Sequence, residues 1–363
     1  MAEFIKGKQL CEQFFFEIAE PLLKKHFPTL LYSAGLLGYG SDVLGYDDIV
    51  STDHMWGPRF YLFLNEEDFH LKPSIMKCFS ESFPYEYQGF SVNFSTPNPN
   101  DGGVQTPENI SEGYVNPLIF IHTFEEFLEN YLGRSDVDSF TSLDWLSFSE
   151  HRLLALTAGN IFADNLNLQN TLDKLSYYPE NVRRYLLFSN WELISQEQAF
   201  VKRCASVNDE IGSILACARI SDRLMRLAFL YKKQYAPYSK WLGTAFTGLD
   251  IDDKIKQCIH HALKASSISG REKNLVTAQK LVADLHDISG ITEPVRAEIT
   301  NYFGRDICVI SADRIAEKIQ KTFDDDLFSS MPPLGTLSQI PNLTSISDKP
   351  EYQRRIKHLY ADF

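Results

Sequence analysis

Hydrophobic spacing divides the chain into two kinds of segment. Leu10, Phe14, Ile18, Leu22 and Leu23 recur at helical intervals and predict one amphipathic helix over residues 7–26. Leu36-Leu37 then runs into Gly38-Tyr39-Gly40-Ser41, an apolar approach that ends in glycine and serine. Arg59 to Leu64 reads Arg-Phe-Tyr-Leu-Phe-Leu, the pattern of a buried strand. A helix is expected around 73–82. Residues 93–116 are rich in Pro, Asn, Gly, Thr and Ser, and read as a long loop or an insertion with little structure of its own. Leu118 to Ile121 is a short apolar strand. Phe124 to Tyr131 follows as a helix closed by Gly133.

Beyond residue 140 the pattern turns helical. From Asn208 to Lys233, the residues Ile211, Ile214, Leu215, Ala218, Leu224, Leu227, Ala228 and Tyr231 form one apolar stripe, with Arg219, Asp222, Arg223 and Arg226 mostly off it. Further helices are expected near 180–200, 251–265, 271–288, 311–323 and 350–361. Pro332-Pro333-Leu334-Gly335 breaks the tail. No internal repeat is visible. The fold class read from this order is α+β: an α/β domain over 1–140, then a helical domain with a C-terminal tail over 141–363, the two facing each other across a cleft.

Composition narrows the functions. The 363 residues carry a formal net charge of −13. Nucleic-acid binders draw most of their affinity from phosphate neutralisation by a basic face. The acidic balance therefore favours a small-molecule or protein acceptor and makes a nucleic-acid partner unexpected. No apolar run is long enough to span a membrane, and no signal peptide is seen. The six cysteines form no C-x-x-C pair and no zinc spacing. Scattered thiols of this kind suit a cytoplasmic location, as small buried hydrophobes.

The chemistry concentrates between Gly40 and Arg59. A Gly-Ser turn follows an apolar run, a polar loop carries Asp42, Asp47 and Asp48, and Asp53 enters the strand. Phosphoryl and nucleotidyl transfer require positioned phosphates, one or two Mg²⁺ ions and an oriented acceptor. Glycine lets backbone approach a phosphate, and serine with backbone N–H groups holds its oxygens. Magnesium takes hard oxygen ligands, mostly carboxylates, phosphates and water. On spacing alone, the same residues also fit an ordinary turn and a solvated acidic loop. Other phosphate fingerprints are absent: there is no G-x-x-x-x-G-K-[ST], and Gly35, Gly38 and Gly40 do not form G-x-G-x-x-G.

Several longer stretches point the same way. They are 40–48 (GSDVLGYDD), 53–59 (DHMWGPR), 158–164 (AGNIFAD), 191–200 (WELISQEQAF) and 235–246 (YAPYSKWLGTAF). With these, the chain resembles, nearly end to end, a bacterial family of unknown specific function within the polymerase-beta-like nucleotidyltransferase superfamily. The resemblance implies a nucleotidyltransferase-like α/β domain with a mixed sheet. It also implies Mg²⁺ and a nucleoside triphosphate, whose nucleoside monophosphate passes to an acceptor. Asp53 is then the candidate catalytic residue, with Asp53 and Asp48 as metal ligands. Gly40, Ser41, Arg59, Tyr238 and Lys240 are candidate nucleotide- or phosphate-binding residues.

The chain departs from that superfamily at two points. Carboxylates two apart on a strand share a face and bind metal together, but here Met55 follows Asp53, and a thioether suits Mg²⁺ poorly. A later strand usually supplies a third carboxylate, but Leu118-Ile119-Phe120-Ile121 has none, and Phe120 stands where an acid is expected. Two readings stay open. Either Asp53 with Asp48, Asp47 or Asp42 holds a single Mg²⁺ in a slow transferase, or a nucleotide pocket persists without efficient chemistry. Arg59 is read as a phosphate contact or a partner of Asp48. Trp241, Trp191 and Gln196 are read as packing residues, and His54 as a structural hydrogen-bonding residue. His260, His261 and His286 show no metal spacing.

Overall fold

The computed structural model describes residues 3–324, 326–340 and 348–361. They fall into two compact units: Met1–Ser139 with Arg152–Ser176, and Phe140–His151 with Tyr177–Phe363.

The first unit is a helix-backed sheet. Its strands are β1 (Tyr32–Leu36), β2 (Arg59–Leu64), β3 (Leu118–His122) and β4 (Asn160–Asp164). They lie in the order β3-β2-β1-β4. β2 and β4 run antiparallel to β1, and β3 runs parallel to β2, so the sheet is mixed. Tyr32 pairs with Leu64 and Gly35 with Tyr61, while Arg59 at the head of β2 pairs with Leu118.

β2 is buried along its whole length because both faces are covered. Phe60, Leu62 and Leu64 join the cluster formed by Leu10, Phe14 and Phe15. Tyr61 and Phe63 turn the other way, with ring centroids 5.0 and 5.4 Å from Phe127. Each buried aromatic or aliphatic side chain contributes roughly 1.5–3 kcal/mol.

The expected first helix is present but interrupted. α1 (Gly7–Phe14) passes through a π-helical stretch, Phe15–Ala19, into α2 (Glu20–His26). The wider turn shifts the helical phase, so the adjacent Phe14 and Phe15 are both fully buried. α3 (Ser41–Leu44) is one short turn, α4 spans Lys72–Ser82, and α5 spans Phe124–Leu132, closed by Gly133 at φ 77°. Of the helices that follow, α6 (Ser142–Ser147) belongs to the second unit, α7 (Glu150–Thr157) begins in the second unit and continues in the first, and α8 (Leu168–Lys174) belongs to the first.

Residues 93–116 form a long loop, as the sequence reads, with one 3₁₀ turn at Pro99–Asp101 and a closed base. Asn93 Oδ1 accepts the Asn116 N–H at 2.8 Å, and Asn116 Nδ2 donates to the Phe94 carbonyl at 2.8 Å, so paired asparagines close the loop's base. β4 was not anticipated, because its alternation is short. It brings residues 152–176 into the first unit. Ser33 Oγ donates to Asp164 Oδ1 at 2.8 Å, and Asp164 accepts the N–H groups of Leu168 and Gln169 at 2.7 and 3.0 Å at the start of α8.

The second unit is helical. It contains α9 (Glu180–Glu197), α10 (Phe200–Ala205), α11 (Glu210–Tyr231), α12 (Ser239–Gly248), α13 (Asp253–Lys264), α14 (Ile268–Ser289) and α15 (Asp313–Gln320). α11 buries a different face from the one its apolar residues suggest. Ser213, Ala216, Cys217, Ile220, Leu224 and Leu227 are buried, whereas Ile211, Ile214, Leu215 and Ala218 are exposed. Small residues let neighbouring helices approach, and that close packing selects the face over side-chain hydrophobicity.

Candidate functional site

The Gly-Ser turn leaves the end of β1 and is pinned from beneath. Asp42 and Arg59 are both buried, at 1% and 0% exposure. Arg59 Nε donates to Asp42 Oδ2 at 3.0 Å, and its Nη2 donates to Asp42 Oδ1 at 2.9 Å and to the Tyr39 carbonyl at 2.7 Å. The guanidinium also lies 4.3 Å from the Tyr39 ring centroid. Burial alone pulls the Arg59 pKa down, but the Asp42 carboxylate more than reverses that and holds the group charged. The fork of Arg59 thus clamps the turn onto the head of β2. Arg59 pairs with Asp42 rather than with Asp48, and its Nη1 is buried without a hydrogen-bond partner among the described residues.

The clamp also explains Gly40. Its φ is 112°, and a Cβ there would stand 2.1 Å from Asp42 Oδ1 and 2.6 Å from Arg59 Nη2. Glycine is therefore required even before any ligand is considered. Ser41 is half-buried, and its hydroxyl has no hydrogen-bond partner among the described residues.

The remaining carboxylates are mostly engaged. Asp47 is buried; its Oδ2 accepts the Gly7 N–H at 2.7 Å and the Trp56 indole N–H at 3.2 Å. Lys6 Nζ stands 3.4 Å from Asp47 Oδ1 and donates to the Asp47 carbonyl. Asp48 is exposed, and its Oδ1 caps the 3₁₀ turn Ile49–Asp53, accepting from the Val50 and Ser51 N–H groups at 2.9 and 3.0 Å. The Ser51 hydroxyl and these N–H groups lower the Asp48 pKa. Asp53 ends that turn, largely exposed, 2.8 Å from His54 Nδ1.

Asp53 was expected to lie on the strand; instead it closes the 3₁₀ turn, and the irregular residues 54–58 separate it from β2. The reason is local. Asp48 winds 49–53 into a capped turn, and Met55 takes φ 49°. Alternation of strand faces therefore does not bring residues 53 and 55 together. Met55 Sδ instead accepts the Gln105 N–H at 3.2 Å, and the Met55 N–H donates to the Gln105 carbonyl at 2.9 Å. On β3, Phe120 packs with Tyr61 and Tyr39 at 5.1 and 6.1 Å between centroids.

The donor set does not fit a two-metal carboxylate centre. Asp42 and Asp47 are buried in internal bonds, whereas Asp48, with one unbonded oxygen, and Asp53 are exposed. Among the described residues, no group of three or more His, Cys, Asp or Glu side chains is arranged to hold a metal ion.

The other candidates lie in the second unit. Tyr238 is half-buried at the start of α12, its ring 5.6 Å from that of His151. Lys240 is exposed, its ammonium 5.0 Å from the Trp241 ring centroid. Trp191 is fully buried and donates to Tyr231 Oη at 2.6 Å, and exposed Gln196 bonds Glu192. The Asp42–Arg59 pairing was not anticipated. Its signal was a charged residue heading an apolar strand, which needs a buried counter-ion. Nothing in the sequence marked Gln105.

Residues 145–242 match a family described as a domain of unknown function, DUF4037. The matched stretch lies beyond the Gly40–Arg59 segment. No curated protein matches the chain. The crystal structure of a nucleotidyltransferase-like protein from Exiguobacterium sibiricum 255-15 is similar over 82% of this chain and 97% of that one, at 13% identity and a TM-score of 0.30. A likeness of that degree fixes neither fold nor activity. Among the described residues, no helix is long and apolar enough to cross a membrane.

Proposed function

We propose that the chain is a nucleotidyltransferase-like protein that receives a nucleotide's phosphates at the Gly40-Ser41 turn, with metal-dependent transfer weak or lost. The observation that carries this reading is the division of labour around the turn. The Ser41 hydroxyl has no hydrogen-bond partner among the described residues, whereas Asp42, Asp47 and one oxygen of Asp48 are spent on the clamp, the Asp47 bonds and the 3₁₀ cap, which leaves Asp53 and a single Asp48 oxygen for a metal. Affinity then comes from hydrogen bonds to phosphate oxygens and needs little Mg²⁺. The missing electrostatic stabilisation amounts to several kcal/mol, hence orders of magnitude in rate.

The test is calorimetry of the full chain with each of the four common nucleoside triphosphates, with and without Mg²⁺, beside an assay for label transfer from the α-phosphate. The expected result is binding that changes little with Mg²⁺, falls at least tenfold in Ser41→Asp, and yields no transfer. Absence of binding by any nucleotide would sink the reading. Mg²⁺-dependent transfer abolished by Asp53→Ala would replace it with the active-enzyme reading, in which exposed Asp53 and the free oxygen of Asp48 hold one ion.

A further inference from the structure

The second unit contains a cavity that the Gly-Ser turn does not involve. α11 places Arg219, Asp222, Arg223 and Arg226 at i, i+3, i+4 and i+7, so they share one face. α9 contributes Leu193, Ile194 and Glu197, and Gln339 closes one side. The volume is about 390 Å³, within the roughly 300–1,000 Å³ of small-ligand sites.

The charges lining it are unevenly matched. Arg219 Nε donates to both carboxylate oxygens of Glu197, at 2.9 and 2.8 Å. Arg226 Nε donates to Asp222 at 3.0 Å, and its Nη1 stands 3.6 Å from Glu150. The Gln339 amide is engaged by Asn190 and the Thr336 N–H. Arg223 makes no ion pair, and its Nη1 is buried without an acceptor among the described residues. Burial lowers the Arg223 pKa, the response of a charge taken from water without full compensation. A guanidinium left so in a chain of net charge −13 is costly unless something supplies the acceptor. Leu193, Ile194, Ala218 and Ile220 give the same cavity an apolar wall.

We propose that this cavity binds a small organic oxyanion, a carboxylate or phosphomonoester head on an apolar body, with Arg223 receiving the head. Carboxylate and phosphate share the chemistry a guanidinium fork recognises. The proposal does not rest on the nucleotide reading, because every lining residue belongs to the second unit.

The experiment is a titration of the full chain with benzoate, phenyl phosphate and neutral benzyl alcohol, followed by ligand-observed NMR and calorimetry. At least one anion is expected to bind saturably, and benzyl alcohol at least tenfold more weakly. Binding of one anion alone identifies the head group. Arg223→Gln is expected to weaken binding at least tenfold. Arg203→Gln, which removes an exposed charge on α10 in the same unit, is expected to leave it unchanged. Ala218→Trp, at an exposed position on the cavity wall, fills the space and is expected to abolish binding, and this arm decides the matter if Arg223→Gln does not fold. The proposal is overturned if neither anion binds more tightly than about 10 mM, if Arg203→Gln weakens binding as much as Arg223→Gln does, or if Ala218→Trp binds as the parent protein does.

Discussion

Replacing Asp42 by alanine tests whether the Arg59 clamp organises the Gly-Ser turn. The substitution removes the acceptor of two of Arg59's bonds and leaves the Tyr39 carbonyl as the one remaining hydrogen-bond partner, among the described residues, of a wholly buried guanidinium. Breaking a buried pair from one side costs about 3–5 kcal/mol, because the surviving charge is left uncompensated. That is a large share of the roughly 5–15 kcal/mol that holds a typical protein folded. Removing both charges, as in Asp42→Ala/Arg59→Leu, is expected to cost less than the sum of the single variants, by about 2 kcal/mol or more. Hydrogen exchange read by mass spectrometry suits the measurement, since peptides from β1 and β2 report the first unit and peptides from α11 report the second. Protection is expected to fall over residues 32–64 and to hold over 210–231. A cost below about 1 kcal/mol for Asp42→Ala, or strict additivity in the double variant, would refute the reasoning.

Four further outcomes are expected. Gly40→Ala combines a positive-φ penalty of about 1–2 kcal/mol with a clash against the clamp, so exchange near β1 should rise without any ligand. Asp53→Ala, at an exposed position bonded to His54, should change the urea midpoint by an amount corresponding to no more than about 0.5 kcal/mol. Met55 holds φ 49°, a conformation aspartate adopts more readily than methionine; Met55→Asp should fold and, because residues 53 and 55 are not brought together, should gain no Mg²⁺-dependent nucleotide affinity in calorimetry. Burial lowers the His286 pKa from 6.5 to about 4, so the unfolded chain takes up the proton first. The stabilisation is therefore complete above pH 6.5 and is lost as pH falls towards 4, and His286→Gln should flatten that slope in melts of the second unit.

The sheet was readable where both faces of a strand are buried, because Phe60 to Leu64 leaves no other assignment. β4 was not, since its pairing with β1 is fixed by Ser33 and Asp164, residues far apart in sequence. The helix over 210–231 was readable, but its buried face was not: the neighbours pack against Ser213 and Ala216 and leave Ile211 in solvent. At the candidate site, the spacing of aspartates located the turn but could not assign roles. Asp42, Asp47 and Asp48 look alike in sequence, and they diverge only once Arg59, Gly7 and the Val50 N–H reach them. Met55 stood out by its chemistry, whereas its left-handed backbone and its bond to Gln105 arise from contacts across fifty residues.

The strand order has a consequence for synthesis. β1 has β2 on one side and β4 on the other, and β4 leaves the ribosome long after β1. At translation rates of roughly 5–20 residues per second, the interval is on the order of ten seconds. During that time the nascent chain presents an open apolar edge, the kind of surface that recruits other strands. A fragment ending at residue 140 would hold that edge open permanently, and is expected to associate with itself where the full chain does not.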